Sequence, residues 1–333
     1  MGNKLNRRAA LGLGTAAAVV GFAPAAAATP APADPDPRGG ISGTGHGPAN
    51  HPSGLADAYR RQTRKAGGTW ESVISLAGTD VVAERADDLV EAYSVNKVAV
   101  AVAVLDKVDR GLISLTQRVE VTADIVIPTG DGILPLDGAY PSSVTVGHVL
   151  ALLLTVSDDT AVRLCGLVCP ALEVNQILVD KGFPKTQVVP VANPNRFYLG
   201  KTTPRETHNL LQALAQGNLL TPSSTAYLLH ILRSQAAHTD GIRREMSSDE
   251  RARVATKAGW FNDGRNEAGI VFDSADHPTL IYALFCQGAP NPDDFGGTHP
   301  AVRARAALGR RFLEAVPTTA LTTTTTYTPA NGG

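Results

Sequence analysis

Ser94 and Lys97 are the first residues in this sequence whose types and spacing suit catalysis. They open a strongly apolar segment that continues to Leu105 and predicts a buried helix. A spacing of three places both side chains on one helix face, and burial favours the neutral amine of a lysine. A neutral amine beside a hydroxyl is a general base for nucleophilic attack. Taken alone, however, such a pair is more often a serine that caps a helix.

Two further short segments contain residues of the same kind. Ser157-Asp158-Asp159 follows an apolar helix, and Lys257-Ala258-Gly259 lies at the end of a predicted strand. Each has an ordinary structural explanation, because Ser and Asp commonly cap helices and a strand lysine is usually a solvated charge at a sheet edge. Neither segment indicates a function by itself.

The three segments together resemble the Ser-x-x-Lys, Ser-Asp-Asn and Lys-Thr-Gly signature of class A β-lactamases and penicillin-binding proteins. Ser94 and Ser157 are 63 residues apart, and Ser157 and Lys257 are 100 apart, which is similar to the class A pattern. The resemblance covers roughly Leu55 to Ala315. Flanking segments are also similar to those of the family: Thr145-Val146-Gly147, Ser157-Asp158-Asp159-Thr160-Ala161 and Thr202-Thr203-Pro204.

The resemblance implies a role for each matching residue. Ser94 would attack the acyl carbon, and Lys97 would accept its proton. Ser157 would relay a proton to the leaving group, and Lys257 would attract an anionic substrate. The backbone N–H groups of Ser94 and Trp260 would form the oxyanion hole. The resemblance implies no cofactor and no metal.

Three features depart from the class A pattern, and they concern substrate binding and turnover. The stretch 188–197 contains no Asp or Glu, whereas the family has a glutamate there that activates water to release the acyl-enzyme. Asp159 replaces an asparagine and can only accept hydrogen bonds when ionised. Ala258 replaces a threonine whose hydroxyl helps to bind the β-lactam carboxylate. It lies beside Gly259 in the third motif, and both residues are expected to take part in substrate binding. The acids nearest the loop are predicted to lie on helices: Glu173, Asp180 and Glu206.

The elements that must position these residues form an α+β pattern. Strands are predicted at 72–77 and 81–84, and again at 252–259, 266–273 and 279–287, with a helical block between the two groups. We therefore expect a β-lactamase/transpeptidase-like fold, in which both chain ends form one antiparallel sheet flanked by helices and an all-helical subdomain is inserted.

The N-terminus is typical of an export signal. Arg7 and Arg8 form a twin-arginine pair before a weakly apolar run and a cluster of small residues, Ala25-Ala26-Ala27-Ala28. The expected organisation is a signal peptide at 1–33, a linker at 34–53, a hydrolase domain at 54–316 and a disordered Thr-rich tail at 317–333. An uncleaved membrane anchor is the alternative, although Pro24 interrupts the span that an anchor needs.

Composition limits the partners that the protein can have. The formal net charge is -1, and aromatic residues make up 5% of the chain, so neither nucleic acid nor an anionic membrane surface is expected to bind. We expect an extracytoplasmic monomer that acts on a small-molecule or peptide-like acyl substrate and meets the membrane only through its signal segment. The three cysteines, Cys165, Cys169 and Cys286, are expected to be buried free thiols.

Three hypotheses about function remain open from the sequence. The first is an exported serine hydrolase or acyl transferase that forms an acyl-enzyme at Ser94 with an amide, ester or lactam other than a standard penicillin. The second is a weak β-lactamase or a penicillin-binding, D,D-peptidase-like protein. The third is a non-catalytic binding module, against which the intact Ser94, Lys97, Ser157 and Lys257 argue.

Overall fold

The computed structural model describes residues 52–317. The predicted signal peptide, almost all of the predicted linker and nearly the whole predicted tail lie outside these residues. The helices are α1 (Pro52–Ala66), α2 (Lys97–Asp109), α3 (Leu134–Asp137), α4 (Val146–Thr155), α5 (Asp159–Val168), α6 (Ala171–Asp180), α7 (Pro204–Ala215), α8 (Pro222–Arg233), α9 (Ser248–Ala252) and α10 (Pro300–Ala315), and a 3-10 helix spans Tyr93–Asn96. The strands are β1 (Thr69–Leu76), β2 (Thr79–Glu84), β3 (Val90–Glu91), β4 (Arg118–Val121), β5 (Ser142–Thr145), β6 (Gln187–Pro190), β7 (Phe197–Thr202), β8 (Val254–Phe261), β9 (Gly264–Phe272) and β10 (Pro278–Gln287).

One antiparallel sheet joins the two ends of the described chain. Its strand order is β2-β1-β10-β9-β8, and Thr69 on β1 pairs with Gln287 on β10. The register places β8 at one edge, where it pairs only with β9 in this sheet. The predicted α+β fold with a sheet built from both chain ends is therefore confirmed.

The sheet separates two hydrophobic cores. Side chains alternate between the faces along β10, as the geometry of a strand requires: Ile281, Ala283 and Phe285 pack into the core beneath the inserted helices, whereas Leu280, Tyr282 and Leu284 pack into the core formed with α1 and α10. Because both faces are covered, β9 is buried along its whole length. This two-sided burial fixes the position of the neighbouring edge strand.

The insertion between β2 and β8 is mostly helical, and α2 lies at its centre. Every residue from Lys97 to Leu105 is buried, which agrees with the apolar pattern on all helix faces. The insertion also contains two small sheets that the sequence pattern did not indicate, ordered β3-β7-β6 and β4-β5. Their strands have two to six residues, too few for a clear alternation of polar and apolar residues.

The state of the cysteines and the membrane-spanning potential of the helices were both considered from the sequence. Cys165, Cys169 and Cys286 are buried and free, as predicted, and burial raises the pKa of the Cys286 thiol to about 12. Among the described helices, none is by itself long and apolar enough to cross a membrane, although α5 and α6 together, bent by 79°, meet that length and composition test.

Candidate active site

Ser94 lies in the 3-10 helix that leads directly into α2. The preceding residue, Tyr93, has a φ of 49°, a left-handed conformation that costs free energy for a side chain of this size. The turn is held against β7, because Ala92 N donates to Gly200 O at 3.0 Å and the Asn96 side chain donates to Leu199 O at 2.7 Å. Hydrogen bonds from both sides of the serine therefore fix the strained turn that carries it.

Lys97 is fully buried, and its amine has three polar partners. Nζ donates to Ser157 O at 2.5 Å, to Ser157 Oγ at 3.1 Å and to Asp159 Oδ1 at 2.9 Å. An ammonium group has three N–H donors, so all three are used in this arrangement. The second motif is therefore joined to the first through the amine of one buried lysine.

The charge state of Lys97 depends on two opposing effects. Burial lowers the pKa of the Lys97 amine, whereas the Asp159 carboxylate raises it through its charge and its hydrogen bond. The net shift is downward, which agrees with the direction expected from the sequence. The ion pair with Asp159 was not expected, and it favours the protonated amine.

Ser157 occupies a second strained position, with a φ of 56°. Asp158 stabilises the turn: Oδ1 accepts from Ala161 N at 2.9 Å as the N-cap of α5, and Oδ2 accepts from Ile133 N and Leu134 N at 2.7 and 2.8 Å. The capping role considered from the sequence is thus correct for Asp158. This cap holds the Ser157 hydroxyl in place between two lysines.

The second of these lysines is Lys257 on β8. Its Nζ donates to Ser157 Oγ at 3.1 Å and to the carbonyl of Ala258 at 2.6 Å. Burial, reinforced by the positive charge of Lys97, lowers the pKa of Lys257 well below its usual value. Lys257 is thus a buried lysine that contacts the site, and not the solvated edge charge considered as its alternative.

Gly259 brings the edge strand against the backbone of Ser94. A Cβ at this position would lie 2.7 Å from Ser94 N and 2.8 Å from Val95 N, so only glycine permits this approach of the two backbones. The next residue, Trp260, follows on β8, and its ring packs on His238 with the centroids 5.2 Å apart. The strand and the start of the 3-10 helix therefore meet where the oxyanion hole was predicted from Ser94 and Trp260.

Two of the residues that depart from the class A pattern, Asp159 and Ala258, differ in how they relate to the site. Asp159 lies beside Lys97 and also accepts from Asp131 N at 3.1 Å. Alternation along β8 places Ala258 on the opposite face from Lys257 and Gly259, and its side chain is fully buried. Only the Ala258 carbonyl is seen to contact a site residue, while its predicted place in substrate binding stays a prediction.

No acid takes the position of the missing glutamate in the hairpin between β6 and β7. The three nearby helical acids are engaged elsewhere: Glu173 pairs with Lys107 at 2.6 Å, Asp180 accepts from Gln176, and Glu206 accepts from Lys185 N and from the Thr186 hydroxyl. Within residues 52–317, no group of three or more His, Cys, Asp or Glu side chains is placed to hold a metal ion.

Comparison with known proteins establishes the family. The model of the Beta-lactamase enzyme family matches residues 55–316, nearly the whole described chain. Family and fold together imply a serine hydrolase. The chain belongs to the β-lactamase enzyme family. No curated protein matches it.

Solved structures share the fold. A β-lactamase from Sphaerobacter thermophilus is 25% identical, with a TM-score of 0.66, and the alignment covers 79% of this chain and 97% of that chain. A β-lactamase from Chitinophaga pinensis is 22% identical, with a TM-score of 0.67 and coverages of 78% and 98%. PBP-A is 22% identical, with a TM-score of 0.63 and coverages of 78% and 95%.

Proposed function

We propose that this protein is an exported active-site serine hydrolase or acyl transferase that forms an acyl-enzyme at Ser94. The observation that carries the proposal is the Ser157 hydroxyl, which two buried lysines contact at 3.1 Å each, Lys97 from the first motif and Lys257 from the third. Burying two lysine amines around one hydroxyl is costly, and such clusters with a lowered pKa occur at sites where a negative charge is bound or a proton is transferred.

The proposed reaction begins with attack of Ser94 Oγ on an acyl carbon. The Lys97 amine reacts in its neutral form, after its extra proton has passed to solvent, and it accepts the proton of Ser94 through its free electron pair. Ser157 passes a proton from Lys97 to the leaving amine or alcohol as the tetrahedral intermediate collapses. The N–H groups of Ser94 and Trp260 hold the oxyanion, each contributing about 3 kcal/mol in hydrolases of this kind.

We propose substrates other than standard penicillins because the features that recognise and release penicillins are altered. The Asp159 carboxylate repels the acyl-amide carbonyl that an asparagine would bind, and it suits a substrate amine or hydroxyl. Each lost or repelled contact costs about 1–3 kcal/mol. Because the β6–β7 hairpin has no acid, a penicilloyl-Ser94 ester would also lack its usual water activator. We expect benzylpenicillin to be hydrolysed poorly and its adduct to be long-lived.

Intact-mass analysis tests this proposal. The protein is incubated with activated esters, benzylpenicillin and a chromogenic cephalosporin, and the adduct at Ser94 is followed over time. Ser94→Ala should abolish labelling and leave the fold intact, and Lys97→Ala should slow acylation about 10²–10⁴-fold. Labelling that persists in Ser94→Ala would contradict the serine mechanism, and a loss below about tenfold in Lys97→Ala would indicate another base.

The second candidate is a weak β-lactamase or a D,D-peptidase-like protein. The intact lysines and the relay serine favour it, since they are the groups that acylation by a β-lactam uses. Relative rates separate the two candidates: turnover of the chromogenic cephalosporin supports the second, whereas faster acylation of Ser94 by the activated esters than by either β-lactam supports the first proposal. Failure of every acylating probe would support a non-catalytic binding module.

A further inference from the structure

A cavity of about 520 Å³ adjoins the candidate active site. Asp159, which contacts Lys97, forms part of its wall, and the rest of the wall comes from α5, the segment before α3 and the β6–β7 hairpin. The cavity therefore begins at the carboxylate that pairs with Lys97 and continues along the β6–β7 hairpin. Apolar side chains make up much of the lining: Ile127, Val162, Val191, Phe197 and Leu199.

Two arginines, Arg163 on α5 and Arg196 in the hairpin, also line this cavity. Arg163 uses one nitrogen to donate to Ile125 O at 3.0 Å. One terminal nitrogen of Arg196 is buried and has no hydrogen-bond partner. In the part of the chain that the structure describes, neither guanidinium forms an ion pair with a carboxylate. A buried N–H donor without a partner is costly, so an acceptor from a ligand would relieve it.

The lining carries two arginines and two acids, so what the arginines can bind depends on how the acids are paired. Burial lowers the pKa of Arg163 and the positive charge of Arg196 adds to this, whereas the Asp124 carboxylate acts in the opposite direction. Of the two acids in the wall, Asp124 accepts from the Thr122 hydroxyl, and Asp159 is paired with Lys97. One acid is therefore already neutralised by the lysine, and the other is outnumbered by the two guanidiniums.

We propose that this cavity binds the acyl part of the substrate and that the acyl group carries a carboxylate at the end of an apolar stem. The stem lies against the apolar wall, and the carboxylate accepts hydrogen bonds from Arg163 and Arg196, a geometry that guanidinium groups favour. This inference deepens the proposed function and rests on it. The substrate class is thus an ester or amide of a dicarboxylic acid, attacked by Ser94 at its uncharged end.

Matched p-nitrophenyl esters test the acyl preference. They share one chain length and end in a carboxylate, a methyl ester or a trimethylammonium group. We expect the carboxylate ester to acylate Ser94 about tenfold faster or more at low concentration, as measured by the p-nitrophenolate burst and intact mass. Arg196→Gln and Arg163→Gln should each reduce the ratio of the carboxylate rate to the methyl ester rate, while Arg61→Gln, at an exposed arginine on α1, should leave this ratio intact.

Binding to the Ser94→Ala protein separates this inference from the proposed reaction. Calorimetry with stable amides of the same acids should show tighter binding of the carboxylate form, and Arg196→Gln in the Ser94→Ala background should abolish the difference. If no ester acylates Ser94 but the carboxylate form still binds more tightly than the methyl ester form, the proposed function is wrong and the proposed carboxylate site is supported. Equal binding of the carboxylate and methyl ester forms, or a preference that survives both arginine substitutions, would overturn the site.

Discussion

At the scale of single residues, the unusual feature of the site is a carboxylate beside Lys97, the lysine that must become neutral in the proposed reaction. Asp159 Oδ1 lies 2.9 Å from Lys97 Nζ, while Asp158 and Asp131 act on the same amine more weakly and Lys257 lies on its other side. The ion pair favours the protonated amine, which cannot accept the proton of Ser94. Asp159 therefore positions Lys97 and limits how much of it is ready to act as a base.

Replacing Asp159 by asparagine should move the pH profile of acylation. Without the carboxylate, the pKa of Lys97 falls further, so the neutral amine is present at lower pH. The acidic limb of the acylation rate should move to lower pH by about one to two units. The rate near neutral pH should increase, most of all for penicillins, because the asparagine also restores an amide donor. Stopped-flow acylation with an activated ester across pH measures the shift.

The matched control for this substitution is Asp124→Asn. Asp124 lines the same cavity but makes no contact with Lys97, so its removal should leave the limb in place. If the acidic limb of the acylation rate stays at the same pH in Asp159→Asn, or moves to higher pH, Lys97 is not the titrating base.

At the scale of elements, the edge strand β8 determines the geometry around the nucleophile. Lys257 and Gly259 lie on one face of this strand, the first at the Ser157 hydroxyl and the second against the backbone of Ser94. Two residues that are two positions apart on this strand, Lys257 and Gly259, therefore face the same side and contact Ser157 and the Ser94 backbone, as side-chain alternation requires.

Gly259→Ala should disrupt acylation more than stability. The added methyl group meets backbone nitrogen atoms at 2.7 and 2.8 Å, and backbone cannot rotate away as a side chain can. A displacement of about 1 Å at a reacting centre costs about 10²-fold in rate. Acylation kinetics and the thermal midpoint measure the two effects, with Gly296→Ala as the control because its Cβ would make only ordinary contacts. Equal acylation by both variants would contradict this role of Gly259.

The sequence predicted elements better than the contacts between them. The bounds of α4 followed from an apolar run behind Thr145, whose hydroxyl accepts from His148 N as the N-cap. The ion pair of Lys97 with Asp159 did not follow, because it depends on the left-handed turn at Ser157 and on the loop that Asp158 holds. The two guanidiniums of the cavity come from a helix and a hairpin, and no local pattern connects such distant residues.

At the scale of the whole molecule, a buried ion pair joins the last helix to the sheet. Arg305 on α10 lies 3.6 Å from Glu267 on β9, and both side chains are almost fully buried. Glu267 also accepts from the Thr256 hydroxyl and from Ile242 N, and burial raises the pKa of the Glu267 carboxyl. This network connects α10 to the strands behind the site.

Arg305→Met should destabilise the protein by about 3–5 kcal/mol, because it leaves the Glu267 carboxylate buried without its cation. Arg311→Met on the same helix removes an exposed pair with Glu314 and should cost less than about 1 kcal/mol. Urea unfolding followed by circular dichroism gives both values. Similar losses in the two variants would show that the buried pair contributes nothing beyond a surface charge.

Export is a further property of the whole chain, and it depends on residues outside the described part. The mature protein is expected to begin between residues 29 and 34 and to be recovered outside the cytoplasm. Changing Arg7 and Arg8 to lysine should retain the precursor inside, because the twin-arginine pair is the predicted signal. Cell fractionation and N-terminal mass analysis test this, and continued export of the double variant would indicate the general secretory route.

The topology of the central sheet also implies that the active site forms late in folding. β1 is made early, but its partner β10 is nearly the last strand to leave the ribosome, and such distant pairing is slow because a long loop must close first. Until then β8 and β9 are not joined to β1, and the backbone of Gly259 is not held against Ser94. If Ser94 is acylated as we propose, an unfinished chain should therefore not react, and an acyl group on Ser94 would mark a molecule that has completed folding.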